Sequence, residues 1–134
     1  MEIVVFWKFF SRIALSLDLM PFIELQTNQD LAPQAADEFL AAATTAVSQV
    51  LAKPENLFMS VAHTGLNLQM AGSADPAALI DVAGLGLTSE FTDALTEKLC
   101  QIAEERLGTP PERVFVRFQN YEQSMWGCNG KTFA

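Results

Sequence analysis

Met20-Pro21-Phe22-Ile23-Glu24-Leu25-Gln26-Thr27 is the stretch on which the reading of the chain turns. Phe22, Glu24 and Gln26 alternate with Ile23, Leu25 and Thr27, the two-residue period of a β-strand. Pro21 has no N–H to give to a ladder, so it belongs at the head of a strand rather than inside one. Its chemistry depends on what precedes it. If translation starts at Met20 and that methionine is trimmed, Pro21 becomes an amino terminus, a secondary amine on a rigid ring that can act as a base or a nucleophile. Inside a longer chain it is a tertiary amide with no available lone pair. The functional reading therefore divides on residues 1–19.

Ile3, Phe6, Trp7, Phe10, Ala14 and Leu17 of that leading segment fall on one helical stripe. Lys8, Arg12 and Asp18 interrupt it, and it is too short and too charged for a membrane span. Glu2 and the lack of a small-x-small cleavage site argue against a secretory signal. Three readings stand: an amphipathic helix lying on a membrane, an N-terminal arm, or upstream sequence translated from an early start codon, which is favoured. The organisation expected is an extension over 1–19 and one domain over 20–134.

Downstream of the first strand the pattern is doubled. A polar loop, Asn28 to Ala36, leads to Phe39, Leu40, Ala43, Val47, Val50 and Leu51, spaced as one face of a helix that Lys53-Pro54 ends. Leu57 to His63 reads as a strand and Leu66 to Ala71 as a short further one. Then Leu79-Ile80-Asp81-Val82 repeats Phe22-Ile23-Glu24-Leu25, apolar, apolar, acid, apolar, 57 positions on. Thr88 and Ser89 offer an N-cap to a second helix, Phe91 to Leu107, which Gly108 and Pro110-Pro111 close. Pro111-Glu112-Arg113-Val114-Phe115 repeats Pro54-Glu55-Asn56-Leu57-Phe58 at the same offset and opens a strand over Val114 to Gln119. Two successive β-α-β units follow from this. Right-handed crossovers place both helices on one face of a four-stranded mixed sheet, an α/β (α+β) fold. The other face keeps apolar residues, and oligomerisation is the natural cover for it. The C-terminal tail, with Trp126 and Phe133, is expected to dock, on a neighbour.

Composition narrows the function. With 134 residues, half of them hydrophobic, the chain is long enough for a real core. A net charge of −8 argues against nucleic acid and against anionic membranes as partners. Cys100 and Cys128 form no paired framework, which fits a reducing compartment, the cytoplasm. A single histidine, His63, two remote cysteines and no clustered carboxylates predict neither metal nor cofactor. Gly84 and Gly86 lack the longer phosphate-binding pattern and read as a tight turn.

Met20-Pro21-Phe22-Ile23, Lys53-Pro54-Glu55, Ser73-Ala74-Asp75-Pro76, Glu104-Glu105-Arg106-Leu107 with Pro111-Glu112-Arg113-Val114, and Trp126-Gly127-Cys128-Asn129-Gly130-Lys131-Thr132-Phe133-Ala134 resemble, in order, the macrophage migration inhibitory factor family of the tautomerase superfamily. The resemblance covers everything after residue 19. It implies a homotrimer whose three sheets form a central barrel, with active sites at subunit interfaces. It also implies keto–enol tautomerisation of a 2-oxo acid such as phenylpyruvate, or dopachrome isomerisation, with Pro21 as the base. A free α-amine titrates at about 8, and burial or a nearby cation lowers that value.

Lys53 matches the family's pocket lysine, which would bind the substrate's carboxylate or oxygen; the competing reading is a solvated lysine at a helix end. Leu85 falls near an apolar substrate contact, against simple core packing. Phe115 stands where vertebrate members carry a pocket tyrosine and Arg117 where they carry an asparagine. Phe115 can stack on a ring but cannot donate a hydrogen bond. Arg117, on the same strand face, can grip a carboxylate through its fork, from a neighbouring subunit. Trp126 and Phe133 line the pocket mouth or pack an interface, and Cys128 replaces a second tryptophan. Ala77-Ala78-Leu79-Ile80 occupies the position of the Cys-x-x-Cys that some members use in thiol chemistry, so that activity is not expected. The alternative to an enzyme is a non-catalytic, cytokine-like interaction protein on the same scaffold, with Pro21 blocked by the extension. Relatives leave cells without a cleavable signal, so release remains open.

Overall fold

The computed structural model describes residues 20–134. The helical stripe expected between Ile3 and Leu17 lies outside the described residues. Strand β1 (Phe22–Thr27) is followed by helix α1 (Pro33–Leu51), strands β2 (Met59–His63) and β3 (Ala78–Leu85), helix α2 (Ser89–Leu107) and strand β4 (Val114–Tyr121). A small hairpin, β5 (Gly127–Cys128) with β6 (Lys131–Thr132), closes the chain. The four long strands form one sheet in the order β2-β1-β3-β4. β1 runs parallel to β2 and β3 parallel to β4, and the two halves meet antiparallel along β1 and β3. This is the doubled unit read from the sequence. In the β1–β3 register Glu24 stands directly opposite Asp81, and these are the two acids that the repeat places 57 positions apart. The local two-fold relating the halves therefore passes between two carboxylates.

Alternation decides which face is covered. Ile23, Leu25, Ile80 and Val82 point to the helix side and are buried to 1% exposure or less. Phe39, Ala43, Val47 and Leu51 of α1, with Leu95, Leu99, Ala103 and Leu107 of α2, pack down on them in one core. In each helix these residues recur every four positions, one ridge of the sequence pattern. Among the described residues no helix covers the opposite sheet face. On its edges Met59 and Phe115 remain 69% and 62% exposed. Between them Glu24, Gln26, Asp81 and Arg117 share the face with Phe22, Val61, Leu79 and Ala83, so the apolar surface expected there is broken by polar side chains.

The ends of the elements carry some corrections. α1 begins at Pro33 rather than after Ala36, with proline in the first turn, where its missing N–H is no loss. It stops at Leu51, where Ala52 turns left-handed at φ 54°, before Lys53-Pro54 is reached. Thr88 occupies the N-cap of α2, but its side chain makes no capping hydrogen bond. Leu66 to Ala71 forms no strand; only Met70 and Ser73 bridge there. The C-terminal tail folds back within its own chain, where Trp126 meets Tyr121 edge to face with ring centres 5.2 Å apart.

Gly108 ends α2 in the left-handed region at φ 63°. A side chain there is strained even though open space surrounds it. Gly108→Ala is expected to cost about 1 kcal/mol, a fall of about 4 °C in Tm, measurable by calorimetry.

Candidate active site

The site is built at one end of the sheet. Pro21 continues the inward phase of β1 and is buried. Its carbonyl accepts the Met59 N–H at 3.1 Å, which ties it to the head of β2. Across from it on β3 is Gly84. A Cβ built there would lie 3.7 Å from the Pro21 Cα and 4.0 Å from the Met20 carbonyl oxygen. The absent side chain keeps the ground beside the proline clear.

The crossover logic brings Lys53 to this end. β1 leads away from Pro21 and α1 leads back, since the parallel β2 must begin beside the start of β1. Lys53 is half-buried. Its N–H donates to the Ser48 carbonyl at 3.1 Å, and its own carbonyl accepts the Ser48 hydroxyl. These bonds fix its backbone at the helix C-terminus. Thr45 donates to Glu55 at 2.5 Å and holds the following turn.

Leu85 reaches the same end along β3 and is buried at 1% exposure. Gly86, at φ 69°, turns the chain there, and the Leu87 N–H donates to Asn120 Oδ1 at 3.0 Å. Leu85 pairs with Tyr121 of β4. A shallow groove runs past Leu85, Gly86, Tyr121 and Ser124 to Ala134. Trp126 stands against Tyr121, and the Phe133 N–H is shared between the carbonyls of Gln123 and Trp126, each at 3.1 Å. Pro21, Lys53, Leu85 and the aromatic tail thus gather at one end of the sheet.

Phe115 and Arg117 do not join them within the chain. Phe115 pairs with Leu79, five residues before Gly84, which sets it about 17 Å down the strand. Arg117 pairs with Asp81, about 10 Å down, on the uncovered face. Its guanidinium is already engaged: Nε donates to Asp81 Oδ1, and Nη2 donates to Oδ2 at 3.3 Å. That hydrogen bond, then the Asp81 charge, and the more distant Glu24 hold the Arg117 pKa above its ordinary value. Elsewhere, burial raises the Cys100 thiol. Sequence reasoning missed Asp81 and Tyr121, and it read Gly84 as part of a tight turn beside the pocket, whereas Gly84 lies within β3 and the turn is made at Gly86. The repeat could have signalled Asp81, because it already paired that position with Glu24.

Residues 20–134 match the family model of macrophage migration inhibitory factor. The chain is 31% identical over 115 residues to a protein from Xenopus laevis named D-dopachrome decarboxylase-B, covering 83% of this chain and 95% of that protein. It is 29% identical over 117 residues to a macrophage migration inhibitory factor homolog from Brugia malayi, covering 85% and 99%. Its fold superposes on the crystal structure of a macrophage migration inhibitory factor homologue from Prochlorococcus marinus with a TM-score of 0.79 at 26% identity, over 84% of this chain and 99% of that one. With its doubled β-α-β architecture and the matched residues 20–134, the chain belongs to the macrophage migration inhibitory factor family.

Proposed function

We propose that the protein is an isomerase, a keto–enol tautomerase of 2-oxo acids of the phenylpyruvate type, that works as a homotrimer with a free Pro21 amine as its general base. The observation that carries this reading is the placement of Pro21: buried, seated on Gly84, at the end of the sheet to which α1 returns Lys53. The names of relatives as D-dopachrome decarboxylases support an activity of this general kind, with dopachrome-type isomerisation as a related reaction.

In this mechanism the neutral amine of Pro21 takes the proton α to the substrate carbonyl and returns it to the oxygen of the enolate. Lys53 holds the carboxylate or the oxygen on which charge develops. Burial and a neighbouring cation both favour the neutral amine, so a base is available near neutral pH. Leu85, Trp126 and Phe133 supply the apolar wall. Phe115 and Arg117 lie too far down the strand to reach their own Pro21, so they serve the site of an adjacent subunit. Phe115 stacks on the substrate ring and Arg117 takes the carboxylate. The exposed Met59 and Phe115 on the uncovered sheet face support association through that face. Free Cys100 and Cys128 suit a cytoplasmic protein, and among the described residues no helix is long and apolar enough to cross a membrane.

The test is turnover of phenylpyruvate enol by a purified species whose intact mass shows Pro21 as its first residue. Absence of turnover above buffer would refute the enzyme. Lys53→Ala should raise KM for phenylpyruvate about tenfold or more, the value of one charged hydrogen bond, while leaving Tm nearly unchanged. An unchanged KM would return Lys53 to the role of a helix-end lysine. The Met20–Pro21 peptide in this sequence favours a second reading for the longer form. There Pro21 is an amide, and the protein is a non-catalytic, cytokine-like interaction partner on the same scaffold.

A further inference from the structure

A row of charge crosses the uncovered sheet face: Glu24 on β1, Asp81 on β3 and Arg117 on β4 stand in register, while His63 on β2 lies two residues along, opposite Gln26. Glu24 and Asp81 stand directly opposite each other, an arrangement that repels unless each acid is answered. Glu24 accepts the Gln26 amide at 3.0 Å and has His63 Nε2 at 4.0 Å. Asp81 takes the Nε/Nη2 edge of Arg117. The Arg117 side chain is 69% exposed and that of Asp81 only 22%, so the acid is the fixed member and the arginine leans on it.

This has a consequence for anion binding. A guanidinium has five N–H donors in a rigid fork, and Asp81 occupies the edge best suited to a bidentate carboxylate. What remains is the outer Nη edge, in the field of two carboxylates against one guanidinium. An incoming carboxylate meets a cation already answered, with a second acid behind it.

We propose that Asp81, resting on the tautomerase reading above, is a specificity-determining residue that competes with the substrate carboxylate for Arg117 and thereby weakens the grip of the site on anions. Glu24 adds to the effect without touching Arg117. The substrate class this favours is a 2-oxo acid with one carboxylate and an apolar remainder. A second carboxylate on the substrate would enter the field of Glu24 and Asp81 with Arg117 already engaged.

Steady-state kinetics with phenylpyruvate, on protein beginning at Pro21, test the assignment. Asp81→Asn should lower KM about threefold, the size of an exposed ion pair, with the change falling on KM rather than kcat. Arg117→Ala should raise KM, and in that background Asp81→Asn should give no further fall. The proposal is overturned if Asp81→Asn leaves KM unchanged or raises it, if the fall persists without Arg117, or if Arg117→Ala leaves KM alone. Should Asp81→Asn not give folded protein by circular dichroism, Glu24→Gln decides: a smaller fall in KM supports the proposal and none overturns it. Lack of turnover in the parent protein is a separate result, which sinks the tautomerase reading itself and this assignment with it.

Discussion

Protein whose first residue is Pro21 should ketonise phenylpyruvate enol at least about a hundredfold faster than the same chain beginning at Met1, since that is the lower range of what a positioned base contributes. The two species share Lys53, Leu85 and every other residue from 21 onward; the longer one adds residues 1–20, which turn the Pro21 amine into an amide. In the shorter form that nitrogen has a basic lone pair. In the longer one the lone pair is delocalised into the Met20 carbonyl. Acetylating the shorter protein at Pro21 should reproduce the loss without altering the core, because none of the core residues precedes Ile23. Equal rates from both species would remove Pro21 from the chemistry, whatever the fold. Intact mass spectrometry of each preparation ties a rate to a known amino terminus.

The architecture could be read from the chain because its determinants are local and repeated. The alternation in Phe22 to Thr27 returns as the buried and half-buried phases of β1. The two helical stripes return as the two rows of core residues, each on a helix of 19 residues. The match at an offset of 57 announced two equivalent halves, and their antiparallel join then follows from sheet topology. The segment Leu66 to Ala71 misled because its apolar residues, Leu66, Leu68 and Met70, alternate as a strand would. The carbonyls of Leu68 and Met70 go instead to Asn28 and Arg113, side chains remote in sequence, and periodicity carries no trace of such partners.

The site was legible only in part for the same reason. Pro21, Lys53 and Leu85 each mark the end of a regular element, so element boundaries place them together. The role of Arg117 is different. As a lone cation on a strand it suggests an anion anchor, but the register sets it against Asp81, and the pair is nearly neutral before any substrate arrives. Pairing between β3 and β4 depends on a crossover through α2, and spacing alone does not give its register. The repeat hinted at Glu24 and Asp81 as equivalents; that they face each other required the structure.

Arg113→Ala should destabilise the fold by about 2–4 kcal/mol, the largest effect expected of any single side chain outside the apolar core. Arg113 stands just before β4 and donates to four backbone carbonyls: Nε to Pro76 at 2.9 Å, Nη1 to Met70 at 3.2 Å, and Nη2 to Ser73 and Asp75 at 3.0 Å each. Asn28, just past β1, holds the same loop from the other side. Its amide donates to Leu68, Ala74 and Asp75, and its Oδ1 accepts the Ala77 N–H at 3.1 Å. Arg113 and Asn28 therefore carry much of the shape of residues 64–77, beside the Met70–Ser73 bridge, the Gly65 and Leu66 N–H bonds to the Gln29 and Thr27 carbonyls, and the Thr27 hydroxyl on the Ala77 carbonyl. Arg113→Lys should recover little, because an ammonium on a flexible stem cannot address four fixed acceptors with a planar fork. Asn28→Ala combined with Arg113→Ala should cost less than the two separately, since both donate to the Asp75 carbonyl. Amide exchange should report the loss first between Leu66 and Pro76, then in β3, where Ala77 and Ala78 enter the sheet. β3 also carries Gly84 and Leu85 to the Pro21 end, so a variant that folds should show a higher KM as well as a lower Tm. A denaturation midpoint within about 0.5 kcal/mol of the parent protein would mean that the loop is held by its own backbone rather than by Arg113.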